Sequence, residues 1–223
     1  MFNPVNLFDL DKTIAKELFD SIEYVWEVIP KIKDFILKVG PKLPIDKFEN
    51  LKENVWVAKD AKIFESAYID GPTIICSGAQ VRHSAFIRGS VIVGEGAVVG
   101  NSTEIKNSIL FNEVQVPHYN YVGDSVLGYK AHMGAGSITS NVKADRMPVR
   151  VKSEIEAIDT GLKKLGAMLG DYVEVGCNTV LNPGTVIGKN SSIYPLSSVR
   201  GFVPGMSIYK GQNKIVKRFM VQL

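Results

Sequence analysis

Two kinds of hydrophobic patterning divide the chain. Across residues 11–39, Ile14, Leu18, Ile22, Val25 and Ile29, then Ile32, Phe35, Ile36 and Val39, recur at the spacing of an amphipathic helix. The pattern predicts two short helices, the first capped by Asp11 and the two separated at Pro30. Proline lacks the N–H a helix interior requires but is tolerated in a first turn, and Gly40-Pro41 then ends the second helix. Residues 41–54 read as a connector.

From residue 55 the period becomes six. Val57, Ile63, Ile69, Ile75, Val81, Ile87, Val93, Val99 and Ile105 recur without exception. The register continues through Phe111 and Pro117, shortens by one at Val122 and again at Leu127, resumes at Met133 and Thr139, and stops after Asn141. It restarts at Leu169 and runs through Val175, Leu181, Ile187, Ile193 and Val199. Neither a helix nor a hairpin produces a period of six.

Units this short cannot bury their own apolar face, so each must stack on its neighbours. Three six-residue segments make one triangular turn of about eighteen residues, with turns stacked about 4.8 Å apart. The predicted fold is mainly β: a single-stranded parallel β-helix over residues 55–208, preceded by a helical extension and connector at 1–54 and followed by a tail at 209–223. Residues 142–168 are too polar and irregular for a coil and read as a projecting arm. Periodicity alone leaves the handedness open.

Composition narrows the partners. The 223 residues are 45% hydrophobic, enough for one substantial core, and the formal charge of +3 gives no case for a nucleic-acid partner. Cys76 and Cys177 stand alone, without metal-ligand spacing, so neither a disulfide framework nor a metal site is expected and a reducing cytoplasm suits the chain. The opening residues lack the features of a secretory signal, and no apolar stretch is long enough to cross a membrane.

Four ordered motifs carry more specific information. Arg88 is followed by an N-x-x-E-x-K segment at residues 101–106, an H-x-x-Y-x-G-D segment at 118–124 and G-A-G-S-I-T-S-N at 134–141. This stretch resembles the acetyltransferase domain of bifunctional glucosamine-1-phosphate acetyltransferase/uridylyltransferases. The segment GLKKLGAMLGDYVEVGCNTVLNPGTVIG is similar to archaeal enzymes that join a sugar-1-phosphate nucleotidylyltransferase to an acetyltransferase β-helix. The resemblance covers residues 85–200.

The resemblance implies a left-handed coil, acetyl-CoA as co-substrate, an amino-sugar 1-phosphate as acceptor, and a homotrimer with sites between neighbouring prisms. It makes His118 the general base, a role that imidazole fills near neutral pH. Arg88 and Lys106 would hold the phosphate, with Tyr121, His132 and Asn141 as further substrate contacts; arginine's fork suits phosphate. Ala135, Cys177 and Pro195 would line the cofactor groove; apart from the resemblance, Arg200, a basic residue near the C-terminal coils, could meet the CoA phosphates, and backbone N–H groups around Gly134-Ala135-Gly136 could face the developing oxyanion. His83 lacks such context and reads as structural.

Departures from the family pattern stand at His132, where Asn is usual, Val142 (Tyr), Cys177 (Ser) and Pro195 (Ala). They leave open galactosamine 1-phosphate or another amino sugar as acceptor. They also leave open a non-catalytic β-helix that binds a sugar phosphate or nucleotide sugar as partner of a separate nucleotidyltransferase. Residues 1–54 are too few for a nucleotide-binding α/β domain, so uridylyl transfer is not expected of them.

Overall fold

The computed structural model describes residues 1–153, 155–212 and 214–219. Each coil lays one short strand on each of three parallel sheets. The first face runs from Val55–Ala58 through Val91–Val93, Ser108–Leu110 and Ala167–Leu169 to Phe202–Val203. The second runs from Lys62–Ile63 through Val98–Asn101 and Gln115–His118 to Ser207–Tyr209. The third runs from Tyr68–Ile69 through Glu104–Lys106 and Tyr121–Gly123 to Ser198–Val199. Strand pairing between coils is parallel throughout, and the coil is the left-handed β-helix of hexapeptide repeats.

The interior is built from in-register columns of apolar side chains. On the first face Val57, Ile75, Val93, Leu110, Leu127, Leu169 and Ile187 stack in order. On the second, Val81, Val99 and Val116 do the same. The inward residues are therefore Leu110 and Val116, where the six-residue count pointed to Phe111 and Pro117.

The cause lies at one corner. Between Ile87 and Val93 the chain turns with two consecutive left-handed residues, Gly89 (φ 87°) and Ser90 (φ 54°). Between Ile105 and Leu110 it turns with Asn107 alone (φ 45°), and in the next coil with Asp124 alone (φ 50°). Asn and Asp tolerate this conformation better than other side chains with a Cβ. Each such corner shortens its coil by one residue, so the register slips before Leu110. Phe111 is thereby turned outward, and its ring lies 4.9 Å from Phe8 and 5.8 Å from Phe19.

Those contacts belong to the N-terminal segment, which covers the first face. Ile74, Ile92, Ile109, Val126 and Val186, the outward residues of that face, are fully buried. A sheet covered on both sides reads as continuous apolar runs, as here in Val91-Ile92-Val93. The segment is made of turns more than of the two expected helices. Pro4–Leu7 is a single turn, Leu10–Lys12, Lys16–Phe19 and Val25–Lys31 are 3₁₀, and only Ile32–Val39 forms a two-turn α-helix. Asp9 caps the second turn by accepting the N–H of Asp11 (3.2 Å), so Asp11 lies inside the turn it was expected to cap. Apolar residues at helical spacing serve here to lay a tight, winding segment along a sheet.

A buried carboxylate fastens the segment. Asp171 accepts the N–H groups of Asp9 (2.7 Å) and Tyr129 (2.9 Å) and pairs with Lys189 Nζ (2.9 Å), while its own N–H donates to the Leu7 carbonyl (3.0 Å). At the start of the coil Phe48–Lys52, within the expected connector, pairs antiparallel with Val55–Ala58. At the other end Ile215–Lys217 folds back on Ser207–Tyr209. These hairpins cover edges that a parallel coil would leave open.

The segment after Asn141 does not project. Arg150–Lys152 and Ala157–Asp159 form a small antiparallel hairpin whose Val149 and Val151 are fully buried. Gly184 faces the Val149 side chain and Gly201 the Lys152 carbonyl, so the hairpin lies on the coil edge. Coil strands resume at Ala167–Leu169. Among the described residues, no helix is long and apolar enough to cross a membrane.

Candidate functional site

The residues singled out by motif fall on the third face and on the two edges that bound it. Lys106 ends the strand Glu104–Lys106, and Tyr121 begins Tyr121–Gly123 on the next coil, in register with Glu104. Asp124 sits at the corner beyond, almost wholly buried. Its carboxylate accepts from Lys106 Nζ (3.1 Å), Asn107 Nδ2 (2.9 Å) and Asn141 Nδ2, which also donates to the Tyr121 hydroxyl oxygen (3.1 Å). Burial raises the Tyr121 phenol above its ordinary range, against the opposing effect of the Asn141 donor, so Tyr121 remains a proton donor.

One coil before Lys106, Arg88 Nη1 holds Glu104 Oε1 at 2.7 Å, and this hydrogen bond keeps the guanidinium pKa above its usual value. Arg88 and Lys106 thus occur as two ion pairs, with Glu104 and Asp124, and the cluster is charge-balanced. A phosphate bound here must exchange with one of these carboxylates or add to the outer side of the pairs. Glu104 and Asp124 received no role from sequence reasoning. The terminal Asp of H-x-x-Y-x-G-D, one coil on from the Lys of N-x-x-E-x-K, was the available signal.

The opposite edge, between the second and third faces, carries a different column. His118 ends the strand Gln115–His118 and is exposed. Its carbonyl accepts the Gly136 N–H (3.0 Å), the Ala135 carbonyl accepts from Asn178 (2.8 Å), and the Cys177 carbonyl accepts from Leu196 (3.0 Å). Residues His118, Ala135, Cys177 and Pro195 therefore occupy the same corner position of successive coils. The turn after His118 is locked by buried Asn120, whose Oδ1 accepts the His118 N–H (3.1 Å) while Nδ2 donates to the Gly134 carbonyl (2.8 Å). One coil earlier Asn101 pairs in register with His118, and its Oδ1 is buried without a hydrogen-bond partner among the described residues.

Several expected residues stand apart. His132 lies on the second face, its Nδ1 2.8 Å from Glu174 Oε2, and so does not face the Tyr121 cluster. Arg200 donates to Asn182 Oδ1 (3.2 Å) at the far edge of the third face, across from the Ala135–Cys177–Pro195 column it was grouped with. The N–H groups of Gly134 and Gly136 are engaged by the Val175 and His118 carbonyls, which leaves the Ala135 N–H as the one of these three without a backbone partner among the described residues. His83 packs its ring against Phe64 at 4.5 Å, in keeping with a structural role. His118 and Asp124 bound opposite edges of the third face, on the order of 15 Å apart. Among the described residues, no hydrogen bond or ion pair joins the two clusters within one chain.

The thiols differ in kind. Cys177 is exposed on the His118 edge, whereas Cys76 is buried and its thiol is pushed up to about 12 by desolvation. No cluster of metal-ligating side chains occurs among the described residues.

Coil, corner chemistry and edge columns together define a left-handed hexapeptide β-helix with a polar cluster on its third face. The protein-family model described as "GMPPB C-terminal domain" matches residues 69–193, more than half of the chain, and the chain belongs to that family. It is 40% identical over 81 residues to a bifunctional sugar-1-phosphate nucleotidylyltransferase/acetyltransferase of Sulfurisphaera tokodaii, covering 36% of this chain and 20% of that one. It is 39% identical over 83 residues to the bifunctional protein GlmU of Methanococcus maripaludis, covering 37% and 20%. A putative uncharacterized acetyltransferase of Escherichia coli, YaiX, is 33% identical over 84 residues, covering 38% and 36%. The matched region spans about a fifth of the length of the first two relatives. Among solved structures, the polySia specific acetyltransferase NeuO aligns over 77% of this chain and 90% of its own with a TM-score of 0.46 at 15% identity. The acetyltransferase domain of PglB from Neisseria gonorrhoeae, in complex with acetyl coenzyme A, aligns over 81% and 64% with a TM-score of 0.31 at 15% identity.

Proposed function

We propose that this chain is an acetyl-CoA-dependent N-acetyltransferase acting on an amino-sugar 1-phosphate, glucosamine 1-phosphate foremost, with His118 as general base. The observation that carries the reading is the single edge on which His118, Ala135, Cys177 and Pro195 align, next to a face bearing Tyr121, Asn141, Lys106 and Arg88. Relatives whose names include acetyltransferase and sugar-1-phosphate nucleotidylyltransferase support it.

In this reading the acetyl thioester lies along the His118 edge. The sugar amine attacks the thioester carbonyl, and His118 takes the proton released as the C–N bond forms. The Ala135 N–H, which has no backbone partner among the described residues, is available to the carbonyl oxygen as negative charge develops there. Collapse of the tetrahedral intermediate expels the CoA thiolate, to which the imidazolium can return the proton. Tyr121 and Asn141 orient the sugar, and Arg88 and Lys106 supply positive charge to its phosphate. Because the two edges of one prism lie apart, a neighbouring copy in a cytoplasmic homotrimer would bring a His118 edge against a third face and complete the site.

A second reading keeps the β-helix as a non-catalytic binding partner of a separate nucleotidyltransferase. The charge-balanced ion pairs of Arg88 and Lys106 favour it over a site already arranged for phosphate. Acceptor-dependent thiol release from acetyl-CoA, measured with glucosamine 1-phosphate, galactosamine 1-phosphate and a nucleotide-linked amino sugar, separates the readings. Release with one acceptor supports the enzyme and names its sugar; no release with any of them sinks the acetyltransferase proposal.

A further inference from the structure

Beyond the Tyr121–Asn141 cluster, the same edge of the third face carries a small, strongly basic cavity that no motif identified. It holds about 90 Å³ and is lined by Lys143, Arg150, Lys152, Pro183, Arg200 and Gly201. The hairpin that lies on the coil supplies Arg150 and Lys152, the segment leading into it supplies Lys143, and the coil itself supplies Arg200. Two of the four are partly neutralised: Lys143 pairs with Asp145 (3.0 Å) and Arg150 with Asp159 (2.9 Å). Lys152 and Arg200 have no carboxylate partner among the described residues.

This is the reverse of the Arg88–Lys106 cluster, where each cation already faces a carboxylate. Uncompensated cations around a concavity raise the local potential and draw anions. At about 90 Å³ the cavity is roomy enough for one tetrahedral oxyanion. Position adds to the argument. Thr139, Leu181 and Val199 are in register, so Pro183 and Gly201 follow Asn141 on the next two coils, about 5–10 Å along the axis. A ligand held by Tyr121 and Asn141 can reach it.

We propose that this cavity is a phosphate subsite, formed by the hairpin and the coil together, with Arg200 and Lys152 as its principal ligands. Two sources share this chemistry: the phosphate of the acceptor, which would then sit here in place of the Arg88–Lys106 pairs, and the phosphates of a nucleotide-bearing co-substrate. The inference goes beyond the proposed acetyl transfer, since oxyanion binding here requires no catalysis.

Titration calorimetry of the full chain with inorganic phosphate and pyrophosphate, in the His118→Ala background, tests binding apart from turnover. Saturable binding is expected, weakened about tenfold by Arg200→Gln or by Lys152→Gln, each of which removes one charged hydrogen-bond donor, and unchanged by Lys62→Gln on the second face of the first coil. Circular dichroism melts verify that the variants fold. Competition by an amino-sugar 1-phosphate, or by CoA but not dephospho-CoA, names the source and supports the assignment. Absence of saturable binding, parent affinity retained in the Arg200→Gln and Lys152→Gln variants, equal loss with Lys62→Gln, or displacement by neither competitor would each overturn it.

Discussion

Removing the Asp171 carboxylate should loosen the N-terminal segment from the first face. Asp171 is 2% exposed and accepts two backbone N–H groups, of Asp9 at 2.7 Å and Tyr129 at 2.9 Å, in addition to its pair with Lys189. Hydrogen bonds to a charged acceptor contribute about 1.5–3 kcal/mol each, and their loss leaves donors without partners. The Lys189 side chain is 31% exposed, so solvent screening makes its share the smaller one. Asp171→Ala should therefore cost about 3–5 kcal/mol, which for a chain of this size lowers Tm by roughly 6–20 °C. Asp171→Asn keeps an acceptor and should cost about half as much. Urea unfolding gives the magnitude, and amide exchange gives the location: protection should fall first in the turns around Leu7 and Asp9. A loss below about 1 kcal/mol, or one that leaves exchange in the N-terminal segment unchanged, would refute the clasp.

Phe111→Ala should cost about 3–5 kcal/mol and Phe8→Ala a similar amount, and a double-mutant cycle should give a coupling of about 0.5–1.5 kcal/mol, since the rings touch across the segment boundary. Additivity of the two would show Phe111 to be an inward coil residue after all. Iodoacetamide at pH 8 should label Cys177 and spare Cys76, whose thiol, raised to about 12, stays protonated there and is buried; mass spectrometry that finds equal labelling contradicts this. Asp124→Asn removes the negative charge beside Lys106 while retaining the side chain's shape, and should tighten binding of a sugar 1-phosphate while lowering stability by about 1–3 kcal/mol, as read by calorimetry and urea melts. Weaker phosphate binding with unchanged stability would count against the charge-balance argument.

The coil was legible because an inward position every six residues admits little besides Val, Ile, Leu or Met. The slip before Leu110 was not, because Leu110 and Phe111 are both apolar and the count accepts either; only the single-residue corner at Asn107 decides between them. Coverage of the first face did leave a trace, in outward residues such as Ile74, Ile92 and Ile109 that a solvated sheet would not carry. The candidate site divided along similar lines. His118, Ala135, Cys177 and Pro195 were each named by motif, but that they share an edge depends on coil length and on an arm whose residues are not counted in the repeat. Lys106 and Asp124 lie eighteen residues apart and meet only because the coil between them sets Gly123 in register with Lys106 and Asp124 at the corner just beyond. The basic cavity arises from a hairpin packed onto the coil, and sequence spacing between Lys152 and Arg200 carries no sign of it.

The central claim is that the His118 edge performs acetyl transfer. It is tested most directly by acceptor-dependent thiol release from acetyl-CoA, with wild-type protein compared with His118→Ala at saturating glucosamine 1-phosphate. The account predicts acceptor-dependent release by the wild type and a fall in kcat of about 10²–10⁴ in the variant, with its fold intact. Wild-type protein that releases no thiol with any amino-sugar phosphate, or a folded His118→Ala that works at the wild-type rate, would contradict it.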